Sequence, residues 1–273
     1  MKTANLITSE QLGLWWTSTP SYQNHKVGCF STPQTMEALR DAGSELRRRG
    51  CTIAIGPMEG NTWRTHRAVI ESDGSRPFPL EPVTPLELVD LLEQEGYETI
   101  ARYSSSKVDL TSQSPDLSRL RERLHQVKIR PLNLLQLEDE LRAIYRLSAR
   151  AFRDNFLYTD ISEAEFIAQY EAFRSHLNSN SAFLAERSGR LVGFVFGYPD
   201  QDRFVVKTVA VLPMRAYAGL GTVLVDKIQS SARKEGFISA IHALQREDNQ
   251  SLRISKRFQA TVFRRYALFA KTL

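Results

Sequence analysis

The sequence predicts an α/β fold with a mixed sheet, divided into two units. Three observations carry the prediction. Short apolar runs of strand character alternate with segments whose apolar residues recur at helical spacing. A polar stretch, Ser104–Asp116 (SSSKVDLTSQSPD), interrupts that alternation and reads as a boundary. The length, 273 residues, fits one large domain or two small ones at roughly 100–200 residues each.

In the first unit His25–Ser31 reads as a strand. Pro33–Arg49 follows as a helix, with Met36, Leu39, Ala42 and Leu46 on one face, Thr32 as its cap and Gly50 as its stop. Cys51–Ile55 is a buried strand, Gly56–Asn61 a turn-rich loop, and Arg67–Glu71 a further strand. Pro85–Gln94 is an amphipathic helix stopped by Gly96, and Tyr97–Tyr103 closes the unit as a strand. A short charged helix is expected near Leu117–Gln126.

The second unit begins with a strand at Val127–Arg130. Helices at Leu137–Phe152 and Ser162–Leu177 come next, the latter opened by Ser162 and Glu165 in capping-box spacing. Ser181–Glu186 and Leu191–Tyr198 flank Arg187-Ser188-Gly189-Arg190 and read as a hairpin. Phe204–Leu212 is a strand, Pro213–Gly219 a turn, and Leu220–Lys234 a helix. The unit ends with a strand at Phe237–Leu244, a helix at Asn249–Phe258 and a strand at Val262–Phe269.

Composition narrows the function classes. Hydrophobic residues make up 42% and charged residues 25%, ordinary values for a globular protein, so disordered and collagenous classes are excluded. No apolar run approaches the ~18–20 residues of a membrane span. The opening MKTANLITSEQLGLWW lacks the apolar core and cleavage site of a secretory leader. Two cysteines, Cys29 and Cys51, are too few for a disulfide framework. Together these features predict a cytoplasmic protein with reduced thiols. Residues 1–122 carry 13 basic and 16 acidic side chains, net −3; residues 123–273 carry 23 and 15, net +8. The basic half suits a polyanion, a phosphorylated ligand or simply a solvated face. Without aromatic–basic interleaving or a recognition helix, the sequence argues against a nucleic-acid partner.

The chemistry concentrates in Val205–Leu224 (VVKTVAVLPMRAYAGLGTVL). A strand runs through a Pro turn into Gly219-Leu220-Gly221 at a helix start. Such a start offers unpaired N–H groups and the positive end of the helix dipole, and glycine lets an anion approach the backbone. Leu224 stands where a dinucleotide-binding loop needs its third glycine, and no Gly-Lys-Ser/Thr follows, so those two phosphate motifs are absent.

With the hairpin AFLAERSGRLVGFVFGY, the strand KTVAVLP, the turn AYAGLGTVL and the late Asn249, the stretch from Val127 onward resembles the GNAT superfamily of acyl-CoA-dependent N-acyltransferases. The resemblance implies a GNAT-like fold for 127–273, after a linker and helix at 111–126. Residues 1–110 resemble a second, degenerate GNAT-like unit in a tandem arrangement. Ser31-Thr32-Pro33-Gln34 stands there in place of the glycine turn, so that unit is expected not to bind coenzyme.

The implied activity is transfer of an acyl group, acetyl by preference, from acyl-CoA to an amine acceptor that the sequence does not identify. By resemblance, the amides of Ala216, Tyr217, Ala218, Gly219, Leu220, Gly221 and Thr222 hold the pyrophosphate of acetyl-CoA. The edge of Val209-Ala210-Val211 pairs with its pantetheine arm, and an N–H of that strand polarises the thioester carbonyl. Asn249 matches the family's coenzyme-bonding Asn, or caps the following helix, or both. No metal is implied. Two features depart from the family pattern. The Arg/Gln position of the turn is Ala216, with Arg215 one residue earlier. The family's Tyr acid is replaced by Lys256.

His242 and Tyr266 are the catalytic candidates in its place. Each has a structural alternative, a hydrogen-bonded core His and a packing Tyr, and a water relay serves without either. The basic residues Arg253, Lys256, Arg257, Arg264 and Arg265 suit a phosphate or an acidic acceptor, or a solvated face. Phe156-Leu157-Tyr158 is either an acceptor-site lining or a hydrophobic plug. Glu59, Asn61, Trp63, Arg64 and Arg67 either face an acceptor or form a loop anchored by one Trp. Loss of the Tyr leaves a coenzyme-binding or regulatory GNAT fold as the alternative function.

Overall fold

The computed structural model describes residues 5–7, 12–171, 174 and 177–273. The chain opens with strands β1 (Asn5–Ile7), β2 (Leu12–Trp15) and β3 (Val27–Phe30). Helix α1 (Met36–Arg48), strands β4 (Ile53–Gly56) and β5 (Ala68–Ser72), helix α2 (Glu87–Gln94) and strand β6 (Glu98–Asp109) follow. Next come α3 (Ser118–Arg123), β7 (Lys128–Pro131), α4 (Leu137–Ala151), α5 (Glu163–Glu171), β8 (Ala182–Arg187) and β9 (Arg190–Asp200). The last elements are β10 (Arg203–Val211), α6 (Leu220–Lys234), β11 (Ser239–Arg246), α7 (Ser251–Arg257) and β12 (Thr261–Thr272). Two compact units result, one of residues 1–104, 155–159 and 263–273, the other of 105–154 and 160–262.

In the first unit β3 and β4 run parallel, with α1 as the crossover between them. β1, β2 and β3 pair antiparallel in series, and β12 pairs antiparallel with both β4 and β5. The apolar stripe of α1 buries Leu39, Ala42 and Leu46 against Phe30, Leu92 and Phe269. Thr35, not Thr32, caps this helix: its Oγ1 accepts Ala38 N–H at 3.2 Å. The expected start at Pro33 therefore moves to Met36. Cys29 and Cys51 are buried free thiols, and burial raises both above the usual thiol pKa.

In the second unit β7, β8, β9 and β10 pair antiparallel in series, and β10 runs parallel to β11. Ser188 and Gly189, both with positive φ, make the β8–β9 hairpin turn, as primed two-residue turns require. Helix α6 crosses from β10 to β11 and buries Leu220, Leu224 and Ile228 completely, among Val195, Phe204 and Ala240. Each such side chain contributes about 1.5–3 kcal/mol. That burial outweighs the ~1 kcal/mol of a side-chain cap, which Gly219 at its N-cap does not provide. The half-exposed Arg121 of α3 pairs with buried Asp226 of α6 at 2.6 Å. Burial raises the Asp226 pKa and Arg121 opposes the rise.

Two expectations change. Ser104–Asp109 is not loop but the continuation of β6, with Ser104, Ser105 and Ser106 buried. Ser105 Oγ accepts Leu244 N–H at 3.0 Å, so a polar run satisfies a buried strand. The helix expected over Ser162–Leu177 appears as α5, with Ser162 Oγ accepting Glu165 N–H at 3.1 Å. Residues 172–173 and 175–176 of that expectation lie outside the described residues, as do 1–4 and 8–11 of the opening stretch.

Candidate functional site

β10 and β11 form a fork. Their parallel pairing runs from Arg203↔Ser239 to Val206↔His242 and stops there. Both strands continue, β10 to Val211 and β11 to Arg246. A register shift between Val206 and Thr208, against β9, marks the point of divergence. Such a bulge bends a strand and strengthens its twist. Beyond it, Thr208 to Val211 pair with β9 on one side only. The edge of Val209, Ala210 and Val211 toward β11 is left for an extended ligand; Ala210 is buried, and the two valines are half-buried.

Past β10 the chain makes a tight turn. Tyr217 N–H bonds to Met214 O at 2.9 Å and Ala218 N–H to Arg215 O at 3.2 Å. Gly219 then adopts φ 87°, a left-handed conformation that favours glycine. Thr222 and Val223 return their N–H groups to Gly219 O, at 3.1 and 3.3 Å. Of the seven amides expected to face a phosphate, those of Tyr217, Ala218 and Thr222 are thus already engaged. Those of Gly219, Leu220 and Gly221 precede the first helical bond and are left for an outside acceptor. A Cβ at Gly221 would stand 3.2 Å from Ile254 Cδ1 and 3.9 Å from the Cγ2 atoms of Val209 and Val211. The bare α-carbon keeps this approach to the strand edge open. The fork, the turn and the helix start fit the extended arm and anionic group of a coenzyme A thioester.

One residue that the sequence reading missed stands beside this turn. Arg123, at the end of α3, donates from Nη2 to Ala218 O, and its Nη2 would lie 3.1 Å from a Cβ at Gly219. The Arg121–Asp226 pair and the packing of Leu120 and Leu124 hold α3 there. A guanidinium thus stands near the turn although Ala216 carries none, while Ala216 and Arg215 are exposed.

His242 occupies the apex of the fork, and its ring is hydrogen-bonded at both nitrogens. Gln229 Nε2 donates to His242 Nε2 at 2.5 Å, His242 Nδ1–H donates to Ser255 Oγ at 2.8 Å, and Ser255 Oγ–H donates to Gln245 Oε1 at 2.6 Å. Burial pushes the His242 pKa down to about 4, so the ring is neutral at pH 7. Ser255 is buried, and Lys256 beside it is exposed. Asn249 is exposed, and its Oδ1 accepts Ser251 N–H at 3.4 Å, a bond at the start of α7.

Tyr266 belongs to the first unit, His242 to the second. The Tyr266 hydroxyl is fully buried and donates to Glu81 Oε1. Arg264 is buried as well, not solvated, and pairs with Glu81 Oε2 at 2.6 Å; Arg265 pairs with Glu71 at 3.0 Å. Arg253, Lys256 and Arg257 are exposed. In the first unit Phe156 meets Tyr22 edge-on and Tyr158 meets Trp63, whose Nε1–H donates to Thr159 O at 2.8 Å. Asn61 Oδ1 accepts Trp63 N–H at 2.9 Å. Among the described residues no group of three or more His, Cys, Asp and Glu side chains is arranged to hold a metal ion, and no helix is long and apolar enough to cross a membrane.

Comparison with known proteins bears on the family and the fold. Residues 141–254 match the family model described as Acetyltransferase (GNAT) family. In sequence the chain is similar to a bacterial ceramide synthase of Caulobacter vibrioides (strain NA1000 / CB15N), 23% identical over 170 residues. That match covers 61% of this chain and 44% of the relative, so the chain spans less than half the relative's length. In fold it is similar to a GCN5-related N-acetyltransferase from Sphaerobacter thermophilus, with TM-score 0.60 and 14% identity, covering 96% of this chain and 76% of that one. A tandem GNAT protein from the clavulanic acid biosynthesis pathway gives TM-score 0.53 and 12% identity, covering 90% and 75%. At such identities the structural likeness is one of fold. The stretch that holds the fork, the glycine turn and α6 lies within the match to the GNAT acetyltransferase family model, and the fold of the chain is GNAT-like.

Proposed function

We propose that the chain is an N-acyltransferase that moves an acyl group, acetyl in the first instance, from acyl-CoA to an amine. The observation that carries this reading is the fork between β10 and β11, ending on the open helix start at Gly219. The amides of Gly219, Leu220 and Gly221, with the α6 dipole behind them, hold the pyrophosphate. Arg123 adds a positive charge beside the turn, where the family's Arg/Gln position is Ala216 here. The edge of Val209-Ala210-Val211 pairs with the pantetheine amides and aims an N–H at the thioester oxygen. Asn249 stands at the start of α7 as a further polar group for the coenzyme.

The amine attacks the thioester carbon directly. The C–S bond breaks, and the proton lost by the amine reaches the departing sulfur through water, because the reactants are already held in place. His242 is the acid–base candidate of the second unit, but as a neutral ring with both nitrogens bonded it serves best by holding Ser255 and Gln229 at the apex. Tyr266, whose hydroxyl is engaged by Glu81, is given no step. The first unit, whose corresponding helix carries a hydroxyl cap, takes no coenzyme.

The test is thermal denaturation with acetyl-CoA. A ligand bound only to the native state stabilises it by about 2.7 kcal/mol at a hundredfold excess over Kd. No shift at millimolar acetyl-CoA overturns the reading. A second reading, coenzyme binding without transfer, draws on the exposed Lys256 at the family's Tyr position. Thiol release over an amine panel separates the two. The similarity to a ceramide synthase puts long-chain amino alcohols on that panel beside short amines.

A further inference from the structure

Both glycines of the turn before α6 face a flanking helix, and the two helices approach in the same way. A Cβ at Gly219 would stand 2.8 Å from Leu120 Cδ2 of α3, and one at Gly221 would stand 3.2 Å from Ile254 Cδ1 of α7. Leu120 and Ile254 pack on one core cluster, together with Tyr217 of the turn and Leu220 of α6. Around the contact α3 reads Arg119-Leu120-Arg121-Glu122-Arg123, and α7 reads Arg253-Ile254-Ser255-Lys256-Arg257. In each helix one arginine precedes the apolar contact by one residue and another follows it by three. Positions four apart share a helix face, so each pair makes a stripe beside its glycine. Arg215, in the turn itself, is a fifth guanidinium.

All five side chains are exposed. Among the described residues none of them forms an ion pair, and the one hydrogen bond that Arg123 makes goes to a carbonyl, Ala218 O. Arg121 differs: it spends its charge on Asp226. The two helices share one electrostatic neighbourhood. Hydrogen bonds from Ser118, with the charges of Arg121 and Arg257 added, hold the carboxyl of Asp116, just ahead of α3, below the usual carboxylate range.

On the coenzyme reading of the fork, which this inference rests on, the phosphate end of a pantetheine arm lies at Gly219–Gly221. Whatever carries that arm therefore rests on these arginines. A pantetheine arm comes attached either to the nucleotide of coenzyme A or, through a phosphodiester, to a serine of a protein. The nucleotide brings one further phosphate, which meets the arginines of one flank. Guanidinium groups on both flanks and in the turn between them suit a broader anionic surface, and their planar forks match carboxylates. We propose that this arginine collar docks a small acidic carrier protein whose phosphopantetheine arm delivers the acyl group into the fork. The amine takes the acyl carbon, the C–S bond breaks, and the carrier leaves as the free thiol with the proton that the amine lost.

The experiment measures binding to the full-length protein by calorimetry. The donors are an acetylated holo acyl carrier protein and acetyl-CoA; phosphatidylglycerol vesicles and a short DNA duplex serve as other polyanions. The acetylated carrier should bind saturably, and more weakly as salt is raised. Arg119→Glu and Arg253→Glu, one on each flank, should each weaken the carrier at least tenfold, whereas acetyl-CoA should lose that much at one flank at most. Lys234→Glu reverses the same charge about 20 Å away along α6 and should change neither affinity. Acetyl-CoA binding without saturable carrier binding overturns this proposal alone; failure of both donors overturns the acyltransferase reading with it. Equal losses of carrier and acetyl-CoA in both arginine variants, a Lys234→Glu loss as large as theirs, or tighter binding to the vesicles or the duplex than to the carrier also overturns it. If an arginine variant loses its native circular dichroism, the wild-type titrations still decide.

Discussion

The chain contains two parallel strand–helix–strand crossovers that end differently. In the first unit β3 pairs with β4 from Val27↔Ile53 to Cys29↔Ile55, almost the whole of both strands. In the second, β10 and β11 pair over four rungs and then part. The helix starts differ in the same sense. At α1 the Thr35 hydroxyl takes Ala38 N–H and the Thr35 carbonyl takes Leu39 N–H. At α6 Gly219 brings no side-chain oxygen and leaves its first amides open. A helix start satisfied by its own hydroxyl has less to offer an anion. One topology is therefore closed in one unit and open in the other. The difference lies in the length of paired strand and in the residue at the N-cap, not in the order of elements.

The contrast is broken most strongly at Ala216, which is exposed, so Ala216→Glu should leave the fold intact. A carboxylate about 4 Å from a bound phosphate costs about 4 kcal/mol at a surface-like dielectric, nearly a thousandfold in affinity. Calorimetry with acetyl-CoA measures it, and an unchanged Kd would show that the anion does not lie at this turn.

The apex residues sharpen the contrast. Ile55 occupies the last paired rung of the first unit, His242 that of the second. Burial holds His242 at about 4, below the 6.5 of the unfolded chain. Unfolding therefore takes up a proton between those values. The stabilisation is complete above pH 6.5 and is lost as the pH falls toward 4, by about 3 kcal/mol in all. Urea denaturation from pH 4 to 7 should show this slope reduced in His242→Gln. The difference between the two curves separates His242 from the carboxylates, and superimposable slopes would refute the assignment.

Smaller effects are expected at the two caps. Gly219→Ala places a side chain in a left-handed conformation, at about 1–2 kcal/mol. Its Cβ would also stand 2.8 Å from Leu120 Cδ2. The melting temperature should drop by several degrees and acetyl-CoA affinity with it. Thr35→Ala should lose about 1 kcal/mol and leave that affinity untouched. A Thr35 variant that changed coenzyme binding would erase the distinction between the units.

Much of this was legible before any coordinates. The apolar period of Leu220–Lys234 marks α6 to the residue, because a helix buried along one face writes that face into its sequence. The glycines of the turn were legible for the same reason: a left-handed position narrows the choice of residue. The fork was not, since where two strands stop pairing depends on a bulge and on neighbours distant in sequence. Arg123 escaped because it reaches the turn from 95 residues upstream. Ser104–Ser106 misled because buried serines that bond a neighbouring strand look, in one dimension, like a linker.

The burial of both thiols has a practical consequence. Thiolates, not thiols, react with disulfide dyes, and burial disfavours the thiolate at Cys29 and Cys51 alike. The native protein should therefore be silent to such dyes. Coenzyme A released by turnover could be counted continuously in its presence, against a flat baseline. A rise of two equivalents per chain would report unfolding instead, so one colour reaction follows both catalysis and the integrity of the catalyst.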